Sequence, residues 1–388
     1  MTAGSVNPPT TSVTVNLQAI VNNFHLMRAK VGPQVEVAAV VKSDAYGHGM
    51  LAVSEALRNA GCRTFCVVSL DESIALHQRS SGKGCILKLT PSLPSEYEEV
   101  HRLGVEQVIT SVEDRKAWEE WLTRHGKSLR VHLKVDCGMG RLGYPCEEIT
   151  KEARHLAETK CFQIIGVMSH LPVSEELPIE ALKDRDTTCP HISDEIERFN
   201  QISNILQKVF GNGVKRHLVN SGGALYHPEG CFDMVRIGLA LYGSDPRGGN
   251  PLKAGLQPAM SFRTRLVQVR DFEGGETIGY GRTYRVPQRM RVGVIPVGYA
   301  DGLFRRMAQE GQVLVRGRRC NILGRISMNL ISIDLSEVNG AQMGEQVTLL
   351  GEDHGEWITA EEMAQWAGTI SYEVFTHIGH LRAVHTGY

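Results

Sequence analysis

Short β-branched apolar runs alternate with stretches whose apolar residues recur every three or four positions, and the alternation persists from residue 35 to residue 238. The runs are VEVAAVV (35–41), TFCVVS (64–69), GCILKL (84–89), VEQVITS (105–111), RVHLKVD (130–136), FQIIGVMSH (162–170), KRHLVNS (215–221) and DMVRIG (233–238). Segments between them, such as SEALRNAG (54–61) and DEIERFNQISNILQKVFG (194–211), carry the periodicity of amphipathic helices. Eight runs, each nearly continuous in apolar residues because both faces are covered, predict an α/β fold of the (β/α)8 TIM-barrel type. A doubly wound open sheet fits the same alternation.

Beyond residue 245 the texture changes. A Gly- and Pro-containing stretch, SDPRGGNPLKAG, leads into SFRTRLVQVRDF, GVIPVGYADG, GQVLVRGRRCNI, GRISMNLISIDL and EQVTLLGE, strand-like runs divided by turn residues. The expected organisation is a barrel over 13–245 and a mostly β domain over 246–388, with residues 1–16 supplying a tail and a strand associated with it. One short helix, TAEEMAQWAG, interrupts the β domain; Thr359 is placed as its N-cap and Glu362 follows at capping-box spacing. Residues 172–195, rich in Pro, Glu, Asp and Thr, read as a surface excursion after the sixth strand and are assigned no chemistry.

Composition narrows the partners. The 388-residue chain is 42% hydrophobic, enough for a sizeable core, and its formal net charge is -1, with Lys and Arg scattered along it without a basic block. Small molecules are therefore expected as partners, with no nucleic acid and no membrane. No apolar stretch approaches the ~20 residues that cross a bilayer, and the first dozen residues are polar, so the cytoplasm is the expected location. Nine cysteines lack the C-x-x-C spacing of zinc and redox sites, and the histidines form no H-E-x-x-H cluster. Reduced thiols and no metal are the expectation.

Barrel enzymes build their sites at the C-terminal ends of the strands. Here those ends carry Lys42, Lys134 and Asp136, His170, Asn220 and Ser221, and Arg236. Each alone could be a cap or an ion-pair partner; together on one rim they point to chemistry. A lysine delivered into an apolar rim loses its proton easily and acts as an amine nucleophile toward a carbonyl, and pyridoxal phosphate is the commonest such carbonyl cofactor. Its phosphate needs backbone N–H groups and hydroxyls, which Ser221-Gly222-Gly223 and Gly238-Leu239 offer; Gly222-Gly223 is equally well read as a tight βα turn.

The segment VVKSDAYGHG resembles the K-x-x-A-Y-G-H-G signature of alanine racemases, pyridoxal-phosphate enzymes of fold type III. LKVDCGMGRLG, SH at 169–170, VNS at 219–221, DMVRIGLALYG, IGYGRTY, VGYADG, GRISMN and SYEV follow in order. The resemblance implies interconversion of L- and D-alanine by a two-base mechanism, D-alanine biosynthesis for the cell wall, and a homodimer with active sites shared between subunits. It makes Lys42 the lysine that holds pyridoxal 5'-phosphate, and Tyr280, from the partner subunit, the second catalytic base. Tyr46, Ser221, Gly238, Leu239 and Tyr372 resemble the phosphate-binding set, Arg236 the arginine at the pyridine nitrogen with His217 behind it, and His170 the residue beside the ring. Arg141 resembles the arginine that reaches the cofactor's phenolic oxygen, and Lys134 a lysine often carbamylated in the family. Met328 belongs to the substrate pocket, and Tyr299 with Tyr372 to its entrance; His48 keeps a structural role. One departure is Asn329, where the family commonly has Asp, which leaves room for a serine or broader-specificity racemase. A decarboxylase on the same plan is the rival reading, but it would pair the pyridine nitrogen with a carboxylate, where this sequence offers Arg236.

Overall fold

The computed structural model describes residues 10–80, 82–175, 191–308, 310–381 and 383–387; most of the 172–195 excursion lies outside them. The chain divides into two compact units. One comprises residues 20–45 and 50–241; the other comprises the N-terminal residues through Ala19, residues 46–49 and the chain from Tyr242 onward. No helix among the described residues is long and apolar enough to cross a membrane.

In the first unit eight strands form a parallel sheet: β1 Glu36–Val40, β2 Thr64–Val67, β3 Cys85–Lys88, β4 Glu106–Ile109, β5 Leu129–Asp136, β6 Phe162–Met168, β7 Lys215–His217 and β8 Met234–Ile237. They run in chain order from β1 to β7, and β8 returns to pair with β1. Two hydrogen bonds close the remaining seam, Asp233 N–H to Arg216 O (3.0 Å) and Arg236 N–H to Val219 O (3.1 Å). The result is a nearly closed barrel, not an open doubly wound sheet. The seventh run is shorter as strand than its apolar pattern suggests, because Asn220 caps a helix that begins at Ser221.

Parallel partners share a face of the sheet, and the registers link Glu106, His132, Gly166, His217, Arg236 and Glu36 to one face. Side chains of β5, β7 and β8 touch one another on it, so it is the barrel's inside. Strand alternation then stacks Arg130, His132 and Lys134 of β5 at three successive levels of the interior. An irregularity in the β5–β6 pairing, where Val131 faces Ile164 but His132 faces Gly166, leaves Ile165 as the extra residue of a bulge.

The second unit is built on a mostly antiparallel sheet in the order Gln268–Phe272, Met290–Ile295, Ile331–Asp334, Arg318–Leu323, Gln312–Val315, Gln346–Asp353, Met260–Arg265, Ser12–Asn16 and Val384–Thr386. Ser12–Asn16 buries Val13 and Val15 and pairs with Met260–Arg265, as a strand of the N-terminal residues associated with the β domain would, and the chain through Ala19 belongs to this unit. The run SFRTRLVQVRDF is two strands, since Leu266 N–H bonds Glu345 O while Val267 N–H bonds Val294 O and the chain changes partner between them. Thr359 caps the helix Ala360–Ala367 in the expected box with Glu362. A second helix, Ser371–Ile378, follows it and buries Val374, Phe375 and Ile378; its eight residues are too few for periodicity to announce it.

Candidate active site

The segment after β1 departs from ordinary helix. Ser43, Asp44, Ala45 and Tyr46 all have φ between 52° and 55°, and Gly47 continues at 80°, so the turn Lys42–Gly47 is left-handed. Each non-glycine residue in that conformation costs roughly 1–2 kcal/mol. Local bonds offset the cost: Ala45 N–H to Val41 O (2.8 Å), Ser43 N–H to Glu72 Oε1 (2.6 Å), and Met50 N–H to Asp44 Oδ1 (2.7 Å). Glu72 also accepts from the N–H groups of Val68 and Ser69, which ties this turn to the end of β2. Gly47 could not carry a side chain, because a Cβ there would lie 2.6 Å from Phe375 O. Strain of this kind concentrates at functional sites, and here it follows directly on Lys42.

The Lys42 side chain has no hydrogen bond or ion pair among the described residues. Burial and then the charge of Arg141 lower its pKa, with Glu72 opposing. Lys134 is lowered to about 8 by burial, then by Arg236 and Arg141. Arg236 is buried, donating to the carbonyls of His217 (3.0 Å), Ser169 (2.6 Å) and Leu218 (2.8 Å), to Nδ1 of His217 (3.0 Å) and to Nδ1 of His170 (3.3 Å). Burial brings its guanidinium down to about 10, still charged at neutral pH. His170 falls to about 3 and His217 well below the usual imidazole range, each chiefly through burial, so both rings are neutral. The rim thus brings together Lys42, Lys134, Arg141, His170, His217 and Arg236, a cation-rich set suited to an anionic ligand.

On the same rim Ser221 Oγ accepts from the N–H groups of Gly238 (3.0 Å) and Ala240 (3.2 Å), and Ser221 begins a helix capped by Asn220. Gly222 and Gly223 fit here because a Cβ would lie 2.8 Å from Ser174 Oγ and 2.6 Å from Val219 Cβ respectively. Converging amides, a hydroxyl and surrounding cations are the donor set a phosphate monoester requires, and the lysine amine is the group a carbonyl cofactor requires; the residues fit pyridoxal 5'-phosphate.

The second unit carries the other expected residues. Tyr46 lies beside Tyr372 and Tyr242, with ring centroids 5.6 Å and 5.1 Å away. His48 is buried, stacked on Tyr242 (4.5 Å) and edge-on to Phe375, and its main-chain oxygen faces His385 Nε2 (2.8 Å). Tyr280, Tyr299 and Met328 are 70%, 44% and 54% exposed. The segment that bears Met328 packs against the glycines flanking Tyr280 and takes the N–H groups of Tyr299 and Ala300. Asn329 is exposed as well. Sequence reasoning passed over Glu72, Tyr242, His132 and Glu106, although the polar alternation of Arg130, His132 and Lys134 was visible in RVHLKVD.

Residues 15–246 match the family model for the alanine racemase N-terminal domain, and residues 259–385 match that for the alanine racemase C-terminal domain. The chain belongs to the alanine racemase family. Over 95% of its length it is 35% identical to the alanine racemase of Syntrophobacter fumaroxidans, covering 96% of that protein, and over 94% it is 36% identical to that of Carboxydothermus hydrogenoformans, again covering 96%. Among solved structures, alanine racemase from E. faecalis superposes with a TM-score of 0.87 at 31% identity, with complete coverage of both chains. Alanine racemase from Bartonella henselae, with covalently bound pyridoxal phosphate, superposes at 0.85 and 27% identity, covering 98% of this chain and all of that one. Members of the alanine racemase family are pyridoxal-phosphate-dependent isomerases, in keeping with the rim's donor set.

Proposed function

We propose that this chain interconverts L- and D-alanine with pyridoxal 5'-phosphate held by Lys42, and that the two bases are Lys42 and Tyr280 of the partner subunit in a homodimer. The observation that carries the reading is Lys42 itself: an amine at the end of a barrel strand, unpaired among the described residues and pushed toward its neutral form by burial and Arg141. Bound pyridoxal phosphate supplies the electron sink that makes the substrate's α-proton removable. Lys42 Nζ, as a neutral amine, takes or returns that proton on one face, and the Tyr280 hydroxyl of the partner subunit serves the other. Tyr280 and Met328 suit this role because both stand exposed on the second unit, available to another copy.

By the family resemblance Ser221, the N–H groups of Gly238 and Leu239, and the hydroxyls of Tyr46 and Tyr372 would hold the phosphate. Arg236 would donate to the pyridine nitrogen; a guanidinium keeps its protons and so would leave that nitrogen unprotonated. His170, whose Nδ1 accepts from Arg236, keeps its proton on Nε2. Arg141 orients the cofactor's phenolic side, and Lys134, with a pKa of about 8, has the free amine that carbamylation needs. Tyr299 and Tyr372 narrow the entrance and favour a small side chain. The free cysteines of the described residues suit a reducing cytoplasm.

The test follows the α-proton of L- and D-alanine in deuterated water, with L-serine as comparison because of Asn329. Exchange from both enantiomers with loss of optical rotation is expected; carbon dioxide release without racemisation would overturn the reading in favour of a decarboxylase. Co-expression of Lys42→Ala with Tyr280→Phe chains tests the shared site. Each variant alone should be inactive and the mixed dimer active, whereas a mixed dimer without activity would place both bases in one subunit.

A further inference from the structure

Behind the rim a second set of polar groups crosses the barrel. His217 Nε2 lies 2.8 Å from His132 Nδ1, His132 Nε2 lies 3.0 Å from Glu106 Oε2, and Glu106 Oε1 meets Arg130 at 2.7 Å. His217, His132 and Glu106 are 0%, 2% and 6% exposed. The chain of contacts runs from Arg236 near the catalytic rim to Arg130 at the N-terminal end of β5, where a cavity of about 770 Å³ opens among Arg28, Arg63, Glu106 and Arg130.

Donor logic allows one proton arrangement along it. Arg236 can only donate, so His217 Nδ1 must accept and the proton of this neutral ring sits on Nε2. His217 then donates to His132 Nδ1, which puts the His132 proton on Nε2, directed at the Glu106 carboxylate. Burial works against ionised Glu106, but the hydrogen bond from His132 leads the effects that hold its pKa below the usual carboxylate range. Among the described residues Arg236 touches no carboxylate, and this relay connects its buried charge to an anion through two oriented imidazoles.

The barrel is shaped to admit the relay. A Cβ on Gly166 would stand 2.1 Å from His132 Nδ1, and the Ile165 bulge is what brings this glycine opposite His132. Other charged or titratable neighbours are Cys85 and Arg130 at Glu106, Lys215 at His217, and Cys66, Lys134 and His170 around Arg236.

We infer that Glu106 and His132 are positioning residues of the reaction, which accept along the relay that Arg236 orients, anchor the His217 ring and thereby hold Arg236 in its orientation at the pyridine nitrogen. This rests on the racemase reading of Arg236. A purely structural network would also be buried, so the test reads proton positions directly. In the full-length protein labelled with 15N-histidine, with and without cofactor, His132 and His217 should both carry their proton on Nε2. Glu106→Gln, whose neutral amide accepts more weakly from His132 Nε2–H than the carboxylate does, should loosen the hold on the two rings and lower kcat about tenfold, the size typical of a group that orients a directly acting one, with little change in KM. Gly166→Ala removes no titratable group yet should displace the His132 ring and give the same loss. The double variant should be no worse than either single one, because both break one relay.

An Nδ1–H tautomer at His132, a kcat within twofold of the parent in both variants, or multiplicative losses in the double variant would each overturn the inference. If the unsubstituted protein showed the expected tautomers but no racemisation, the racemase reading would fall and the proton arrangement would stand.

Discussion

At the N-terminal end of the barrel, Lys215 meets Glu36 at 2.5 Å, Arg130 meets Glu106 at 2.7 Å, and Thr64 donates to Glu36 at 2.5 Å. At the opposite end Lys42, Lys134, Arg141 and Arg236 crowd together, each of the two lysines depressed by burial and then by its cationic neighbours, and among the described residues Asp136 and Glu72 oppose them. One scaffold thus treats charge in two ways. Where no ligand is expected, carboxylates neutralise the cations and help to fasten strand starts. Where an anionic cofactor is expected, its phosphate provides the missing negative charge, and an amine is left close to neutrality.

Breaking the active end should have the largest effect. Lys42→Ala is expected to lower kcat by about 10⁴-fold or more, at least the contribution of a general base, in steady-state racemisation of alanine. The histidines come next. Above pH 6.5, His170 and His217 are neutral whether folded or unfolded. Below it the unfolded chain binds protons that the folded chain refuses, for His170 down to about pH 3. Stability therefore falls as pH falls, by about 1.4 kcal/mol per pH unit for each histidine. Denaturant unfolding at pH 7, 6 and 5 should show this slope, and His170→Asn should flatten it.

Arg141→Leu sharpens the charge argument further. Removing that cation raises the Lys42 pKa, and since Lys42 acts as the neutral amine, the acid limb of the kcat–pH profile should move to higher pH. The smallest effect belongs to the paired end. Lys215→Met should cost less than about 1 kcal/mol of unfolding free energy, because the Lys215–Glu36 pair is half exposed, and kcat should not change.

Reading strand ends located Lys42, Lys134, His170, Ser221 and Arg236 because barrel strands announce themselves as apolar runs and a charge at the end of one stands out. The same rule is not selective. Lys88 also ends a strand, yet its Nζ is held by Pro91 O (2.8 Å) and Ser92 Oγ (2.9 Å) beside Glu96 (3.5 Å), a structural lysine that only coordinates distinguish from Lys42. His132 escaped because it lies inside a strand, where polarity within an apolar run is averaged away, and Glu106 because it opens its strand, at the end opposite the one where barrel chemistry is sought. The left-handed turn was out of reach for a different reason. Ser43, Asp44, Ala45 and Tyr46 have no common preference for positive φ, and the conformation is imposed by Glu72, Val41 and the glycine that follows. A strand within residues 1–16 was expected to join the β domain, but its register there is decided by pairing partners some 250 residues away along the chain, as Val13 with Phe262.

The central claim is that Lys42, and neither Lys134 nor Lys88, carries the cofactor. Incubation with pyridoxal 5'-phosphate, reduction with borohydride and peptide mapping by mass spectrometry tests it most directly. The account predicts a stable pyridoxyl label confined to the peptide containing Lys42 and absent from the Lys42→Ala variant; a label on Lys134 or Lys88, or no label on any lysine, would contradict it.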